Sequence, residues 1–189
     1  MPSSNLILYE ADASLRPFIL NIANGWSEEL AIQLIEKSRQ ENILLHTPKD
    51  AAKRFKDQDS LRQWLTKGRE VHWLLGPDQD LAGIIWYGPS EPPQPIDING
   101  VEPETFAIRI YDGYVGKGLA RPFMLQSLRV LVAEREAQDK PVPFIWLETD
   151  IDNIPAVTSY TKLGYEEYTR DDIRVLMTLT PDKIKTIIA

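Results

Sequence analysis

The sequence predicts an α/β protein, and three stretches predict it. Residues 71–75 and 81–87 bracket Gly-Pro-Asp-Gln-Asp as two strands bracket a hairpin loop. The apolar run 106–111 enters the glycine-rich turn 112–120, and a long pattern of apolar residues at spacings of three and four leaves it. Residues 144–149 form a continuous apolar run, the pattern of a strand covered on both faces, and a helix start follows at Asn153. At 189 residues and 43% hydrophobic, the chain is long enough for one domain with its own core, and residues 1–189 are read as that domain.

Taken in order, residues 5–9 read as a short first strand. Ser27 caps a helix with Glu28 and Glu29 at its positive end and Leu30, Ala31, Leu34 and Ile35 as its inner stripe. Residues 42–47 break that helix and Pro48 punctuates the break. Two shorter helices follow over 49–55 and 60–67. The second is capped by Asp59 or Ser60, turns Leu61, Trp64 and Leu65 inward, and stops at Gly68. Beyond the hairpin, Pro89, Pro92, Pro93 and Pro95 exclude helix from the connection 88–103, which reads as a surface excursion. Between Glu70 and Ile108 there is no Lys or Arg, while Glu70, Asp78, Asp80, Glu91, Asp97, Glu102 and Glu104 all occur; this is an acidic face or simple solubility.

Residues 104–111 read as the fourth strand. The helix over 119–137 carries Ala120, Met124, Leu128, Leu131 and Val132 on one side, with Pro122 in its first turn, where a missing N–H costs nothing. Residues 144–149 are the fifth strand. Asn153 caps the next helix, Pro155 falls in its first turn, Ala156, Val157, Tyr160 and Leu163 share a side, and Gly164 ends it. Residues 165–169 and 174–180 read as a terminal hairpin.

Composition narrows the function classes. A net charge of -7 and a pI near 4.9 oppose nucleic acid or an anionic membrane as partner and suit a cationic small molecule or a basic peptide terminus. There is no cysteine, hence no disulfide, thiolate metal site or cysteine nucleophile. With His46 and His72 as the only histidines, no metal is expected. No apolar run nears the roughly 18 residues of a spanning helix, and a cytoplasmic location is expected.

The turn around Gly113, Gly116 and Gly118 feeds a helix, so its backbone N–H groups and the helix N-terminus converge on one point, as a phosphate requires. It is not a Walker A loop: only Tyr114 and Val115 separate Gly113 from Gly116-Lys117, and Gly118 stands where Ser or Thr would hold magnesium. Nor is it a dinucleotide fingerprint, because Arg121 occupies the third glycine position. Taken alone, Gly-x-Gly equally fits a tight turn that uses glycine only for backbone geometry.

The second motif removes that ambiguity. Asn153, Ala156 three residues on, Tyr160 seven on, and then Lys162-Leu163-Gly164-Tyr165 resemble the signature that follows the fifth strand in the GNAT superfamily of N-acetyltransferases, with Tyr165 in place of Phe. The superfamily's [Gln/Arg]-x-x-Gly-x-[Gly/Ala] motif matches at Gly116 and Gly118 and departs at Gly113. The resemblance covers roughly residues 70–180. It implies a mixed, mostly antiparallel central sheet of about seven strands with helices on both faces, strands 4 and 5 parallel and splayed. It also implies acetyl-CoA as co-substrate and no metal. The CoA pyrophosphate would lie on the N–H groups of Tyr114, Val115, Gly116, Lys117, Gly118, Leu119 and Ala120, with Tyr111, Asn153 and Tyr160 completing the cofactor site. Val115, in a slot that members of the superfamily often fill with Arg, would supply only its backbone, and the Lys117 charge is either near the phosphates or solvated.

Acyl transfer from a thioester to an amine needs a neutral amine, a polarised carbonyl and a proton for the thiolate. A lysine-like amine costs about 4.6 kcal/mol to deprotonate at neutral pH, which makes a base useful. Glu148 is the candidate base, since a carboxylate ending an apolar strand would have its pKa raised by desolvation. In ribosomal-protein N-terminal acetyltransferases, the branch with this spacing, a Glu in Leu-Glu-x twelve residues before the Tyr has that role; Glu104 and Asp150 are substitutes, and a solvent-facing Glu148 is the alternative. Tyr160 is the candidate acid: a phenol of pKa about 10 stays protonated at neutral pH, and transfer to a thiolate is uphill by only about 2 kcal/mol. Spacing alone also fits Tyr160 as a core aromatic. Backbone N–H groups near Ile110 and Tyr111 would form an oxyanion hole. Trp86 and Trp146 either line the acceptor groove or pack in the core.

The expected activity is therefore transfer of acetyl from acetyl-CoA to a primary amine, the alternative being a non-catalytic acyl-CoA-binding sensor or scaffold. The expected partners are acetyl-CoA and a cationic amine acceptor, neither nucleic acid nor membrane; a homodimer is compatible with the sequence.

Overall fold

One sheet runs through the protein, and the chain threads it nearly in order. The computed structural model describes residues 7–9, 21–24, 26–98 and 100–189. Among these, eight strands pair: β1 (Ile7–Tyr9), β2 (Asn21–Asn24), β3 (Glu70–Leu75), β4 (Leu81–Pro89), β5 (Pro103–Ile110), β6 (Phe144–Asp150), β7 (Glu166–Arg170) and β8 (Arg174–Leu179), in the spatial order β1-β2-β3-β4-β5-β6-β8-β7. The rest of the strand expected over 5–9 lies outside the described residues. Every neighbouring pair is antiparallel except β5 with β6. The count is thus eight rather than about seven, and the parallel pair is the fifth and sixth strands rather than the fourth and fifth. The shift comes from β2, whose Asn-Ile-Ala-Asn has no apolar alternation and is held through its backbone by β3.

The β5–β6 ladder is short. It holds only Pro103 with Phe144, Glu104 with Ile145 and Thr105 with Trp146, although β5 continues to Ile110 and β6 to Asp150. Past Thr105 and Trp146 the two strands leave a gap. Residues in register share a face and alternate along each strand, so Trp86, Ala107, Arg109, Trp146 and Glu148 lie on one face, and Tyr87, Phe106, Ile145 and Leu147 on the other.

Helices cover both faces. On the first lie α1 (Glu28–Lys37), α2 (Glu41–His46), a π-helical turn at Asp50–Arg54 and α3 (Gln58–Leu65); Leu30, Leu34, Phe55, Leu61 and Trp64 pack there against Trp73, Ile84 and Trp86. On the second, Phe123, Leu128 and Leu131 of α4 (Ala120–Ala137) and Tyr160 and Leu163 of α5 (Ile154–Leu163) pack against Tyr87, Phe106 and Leu147. With both faces covered, the first eight residues of β4 are all buried.

Local signals place most helix starts. The Ser27 hydroxyl accepts from the Leu30 N–H at 3.3 Å and caps α1. The cap of α3 is Asp57, accepting from Ser60 at 2.8 Å, rather than Asp59 or Ser60. Residues 41–46 form a helix where a break is expected: of α2's apolar side chains only Ile43 is buried, and Leu44 and Leu45 are exposed, so no stripe announces it. A final helix, α6 (Pro181–Ile188), follows the last hairpin; Thr180 caps it, and it is missing from the sequence reading because a single residue, Ile184, carries its burial.

The acidic stretch is not a uniform face. Glu70 and Glu104 turn toward α4, where Arg135 Nη2 meets Glu70 at 3.1 Å and Glu104 at 2.8 Å. Beside them the buried His72 Nδ1 lies 2.7 Å from the Ser127 hydroxyl, which is 2.9 Å from the Tyr87 hydroxyl. Burial raises the Glu104 pKa against the pull of Arg135. Burial also raises that of Glu70, but the hydrogen bond and charge of His72, together with Arg135, outweigh it and hold Glu70 below the usual carboxylate range.

Candidate functional site

The glycine loop has the backbone its sequence requires. Gly113, Gly116 and Gly118 have φ of 86°, 77° and 73°, and an added Cβ at any of them would meet nothing within 4 Å. Backbone conformation, not crowding, therefore calls for glycine there. The loop delivers Leu119 to the start of α4, whose first bond runs from the Phe123 N–H to the Leu119 carbonyl at 3.0 Å. The N–H groups of Val115, Gly116, Lys117, Gly118, Leu119 and Ala120 have no acceptor among the described residues. Tyr114 differs from expectation: its N–H donates to the Tyr111 carbonyl at 3.0 Å, closing a turn, and is not free for a phosphate.

The side chains around the loop also depart from the sequence reading. Tyr114 reaches back to the β3–β4 hairpin, so that a Cβ on Gly76 would fall 2.1 Å from its hydroxyl; burial and then a hydrogen bond to Asp80 raise its pKa. Lys117 Nζ stands 5.3 Å from the Tyr114 ring centroid, a cation–π contact that holds the ammonium beside the ring. Val115 is exposed. Tyr111, expected in the cofactor site, has its side chain wholly buried among the α1–α3 core, and its N–H donates to the Ala82 carbonyl at 3.0 Å. Burial raises its phenol pKa. Asn153 Oδ1 accepts from the Ala156 N–H at 3.4 Å, so its side chain is the cap of α5.

Of the two N–H groups expected as oxyanion donors, that of Tyr111 is taken within the sheet. Tyr111 and Ala82 are a hydrogen-bonded pair of the β4–β5 ladder; pairs alternate in an antiparallel ladder, so the preceding Ile110 N–H points away from β4, into the gap. From the α4–α5 side comes Tyr160, 8% exposed, its ring 6.1 Å from Phe106 and 5.7 Å from Tyr165. Burial raises its pKa, and the charge of Arg109, from the other face, opposes that rise.

Glu148 lies on the α1–α3 face and is exposed, with Arg174 Nη2 at 3.9 Å. The burial expected of it is absent, because its strand is covered at Phe144 and Trp146 but open at position 148. Asp150 accepts from Arg174 at 2.8 Å and lies 3.9 Å from His46 Nδ1. Trp86 and Trp146 are core residues, not groove lining. Trp86 meets Phe55 and Trp64 edge to face, and Trp146 packs on Leu176 while its Nε1 donates to the Ser90 carbonyl at 2.7 Å.

Two residues beside the gap were not singled out from sequence. Asp50 is wholly buried and accepts from Arg109 Nε and Arg54 Nη1, both at 2.7 Å. Arg109 also donates to the Ile108 carbonyl at 2.8 Å and stands 4.8 Å from the Trp86 ring centroid. The i,i+4 spacing of Asp50 and Arg54, and an arginine inside the apolar run Phe-Ala-Ile-Arg-Ile, were the available signals. Glu70, His72 and Glu134 each bring a possible ligand atom within 4.8 Å of the others, and Arg135 already takes one Glu70 oxygen there.

Solved structures share this fold. A spermidine N-acetyltransferase from Vibrio cholerae, in complex with CoA and spermine, aligns with a TM-score of 0.67 at 16% identity over 88% of this chain and 98% of that one. The chain has the GNAT fold. An aminoglycoside N(6')-acetyltransferase from Legionella pneumophila aligns at 0.65, 15% identity, 89% of this chain and 96% of its own. A Desulfovibrio desulfuricans protein described as of the GNAT family aligns at 0.61, 15% identity, 86% and 99%. No family model and no curated protein matches the sequence. Among the described residues no helix is long and apolar enough to cross a membrane.

Proposed function

We propose that residues 1–189 form one acetyltransferase domain that moves an acetyl group from acetyl-CoA to a primary amine by direct attack. The observation that carries this is the row of free N–H groups from Val115 to Ala120 at the start of α4, next to a gap that β5 and β6 leave open. A pyrophosphate satisfies such donors and the helix dipole together. Pantetheine laid into the gap would meet the Ile110 N–H, which is free to polarise a thioester carbonyl.

Tyr160 is the proton donor in this reading and Glu148 the base, acting directly or through water. They approach from opposite faces, so the thiolate leaves on one side of the sheet while the amine arrives on the other. Glu148 is open to solvent, and its part is to collect the proton that the amine nitrogen loses once it has attacked the carbonyl. The similar spermidine N-acetyltransferase, solved with CoA and spermine, and the similar aminoglycoside N(6')-acetyltransferase support an amine acceptor that is cationic before it reacts.

Thiol release from acetyl-CoA with a panel of amines tests the reading. Turnover that falls in Glu148→Gln more steeply at low pH than at high pH is expected. A clear thermal shift with CoA but no turnover with any amine would favour the acyl-CoA sensor instead.

A further inference from the structure

The protein has a net charge of -7, yet one cavity on the α1–α3 face is walled by cations. Its volume is about 350 Å³, the size of a small-molecule site, and Lys49, Lys53, Arg54, Lys67 and Arg69 line it around Trp64, without a carboxylate. Ser60 and Gln63 add neutral hydrogen-bonding groups.

Like charges gathered in one concavity repel unless something neutralises them. Lys49, Lys53 and Lys67 are exposed, and water screens them. Arg54 binds Asp50, but that carboxylate is shared with Arg109, so the three groups together retain a positive charge. Arg69 is the decisive residue. Its guanidinium lies 6.0 Å from the Trp64 ring centroid and against Gly88, where a Cβ would come within 2.5 Å of Nη1. Its Nε and Nη1 are buried with no hydrogen-bond partner among the described residues. Two buried N–H donors left without acceptors are costly, and a carboxylate or phosphate oxygen pair meets such a fork two bonds at a time. Burial, and then the charge of Arg54, lower its pKa against the attraction of Glu104, the direction a site short of negative charge should show.

A hydrogen-bond chain ties the cavity wall to the strand beside the gap. Asp50 joins Arg54 in its wall to Arg109, which donates to the Ile108 carbonyl on the strand that borders the gap. We propose that the cavity is an oxyanion subsite that takes a carboxylate or phosphate carried by the amine acceptor. The anion chemistry stands on the cavity alone, and the acceptor as its source rests on the acetyltransferase reading. A polyamine with no acidic group would face uncompensated positive charge there.

The test uses the full chain and two variants, Arg69→Gln and the exposed-rim double variant Lys53→Gln/Lys67→Gln, which leaves the packing around Trp64 intact. Inorganic phosphate titrated by calorimetry should bind wild type and lose about tenfold or more in affinity in the double variant. Among amines that are acetylated, those bearing a carboxylate or phosphate should have the lower KM, and the double variant should raise it about tenfold with kcat and CoA affinity unchanged. No phosphate binding by wild type, or equal binding by both variants, overturns the subsite. Displacement of phosphate by CoA assigns the cavity to the cofactor and also overturns it. Phosphate binding that the variants lose, with no amine acetylated, keeps the anion site and overturns the acceptor as its source along with the acetyltransferase reading. Equal KM values for acidic and plain amines, unchanged in the double variant, overturn the acceptor assignment alone.

Discussion

Arg109 Nε donates to Asp50 Oδ2 at 2.7 Å, tying the strand beside the gap to the π-helical turn between α2 and α3. Asp50 is wholly buried and also holds Arg54. An amide in its place keeps one acceptor, turns an N–H donor toward the other guanidinium and leaves both cations without a counter-charge. Asp50→Asn should destabilise the protein by about 3–5 kcal/mol, seen as a lower denaturation midpoint with an unchanged slope. A variant within about 1 kcal/mol of wild type would show that the bridge contributes little.

Arg135→Met isolates the part-buried group of Arg135, Glu70 and Glu104. Without the cation, burial pushes the Glu104 carboxyl further upward and Glu70 keeps the hold of His72, so their ionised forms oppose folding at neutral pH, by about 3–5 kcal/mol at most. The sign follows from proton linkage: a folded-state pKa above the unfolded value gives stability present at low pH and lost as pH rises through it. In wild type, Glu70 is held low and loses its contribution as pH falls through its folded pKa. The stability difference between variant and wild type should therefore narrow between neutral pH and the carboxylate range; a widening gap in urea denaturation would refute the assignment.

Gly116 has open space where a Cβ would go and a φ of 77°. Gly116→Ala should cost roughly 1–2 kcal/mol from conformation alone and weaken CoA binding through the displaced N–H groups. Asn tolerates that backbone better, so Gly116→Asn should be milder by calorimetry with CoA and by Tm. Equal losses in both variants would mean that side-chain bulk, not φ, limits the loop.

Tyr160→Phe should lower kcat by about 10²- to 10⁴-fold while leaving CoA affinity unchanged. Burial keeps the phenol protonated beyond its ordinary pKa of about 10, so the wild-type rate should not fall from this group's ionisation until the pH exceeds that value. An alkaline limb near pH 8 that disappears in the Phe variant would contradict that placement of the proton.

Much of the fold was legible because its signals are local. The Ser27 cap, the hairpin turn at 76–80, Pro122 in the first turn of α4 and Gly164 at the end of α5 each act within four residues. The strand β2 and helix α6 escaped notice because neighbours hold them: β2 by a backbone ladder to β3, α6 by one buried isoleucine.

The sequence by itself determined where a phosphate-sized cradle could form, since positive φ at Gly113, Gly116 and Gly118 is a property of residues that lack a Cβ. It also determined that Asn153 starts and Gly164 ends the helix that carries Tyr160. Tertiary structure alone decided which side chains face the gap. Tyr111 turned into the core, Glu148 stayed in water, and Asp50 met Arg109 across 59 residues of chain. Burial and charge pairing depend on distances between distant segments, and only the packed sheet with its two helical layers sets those distances.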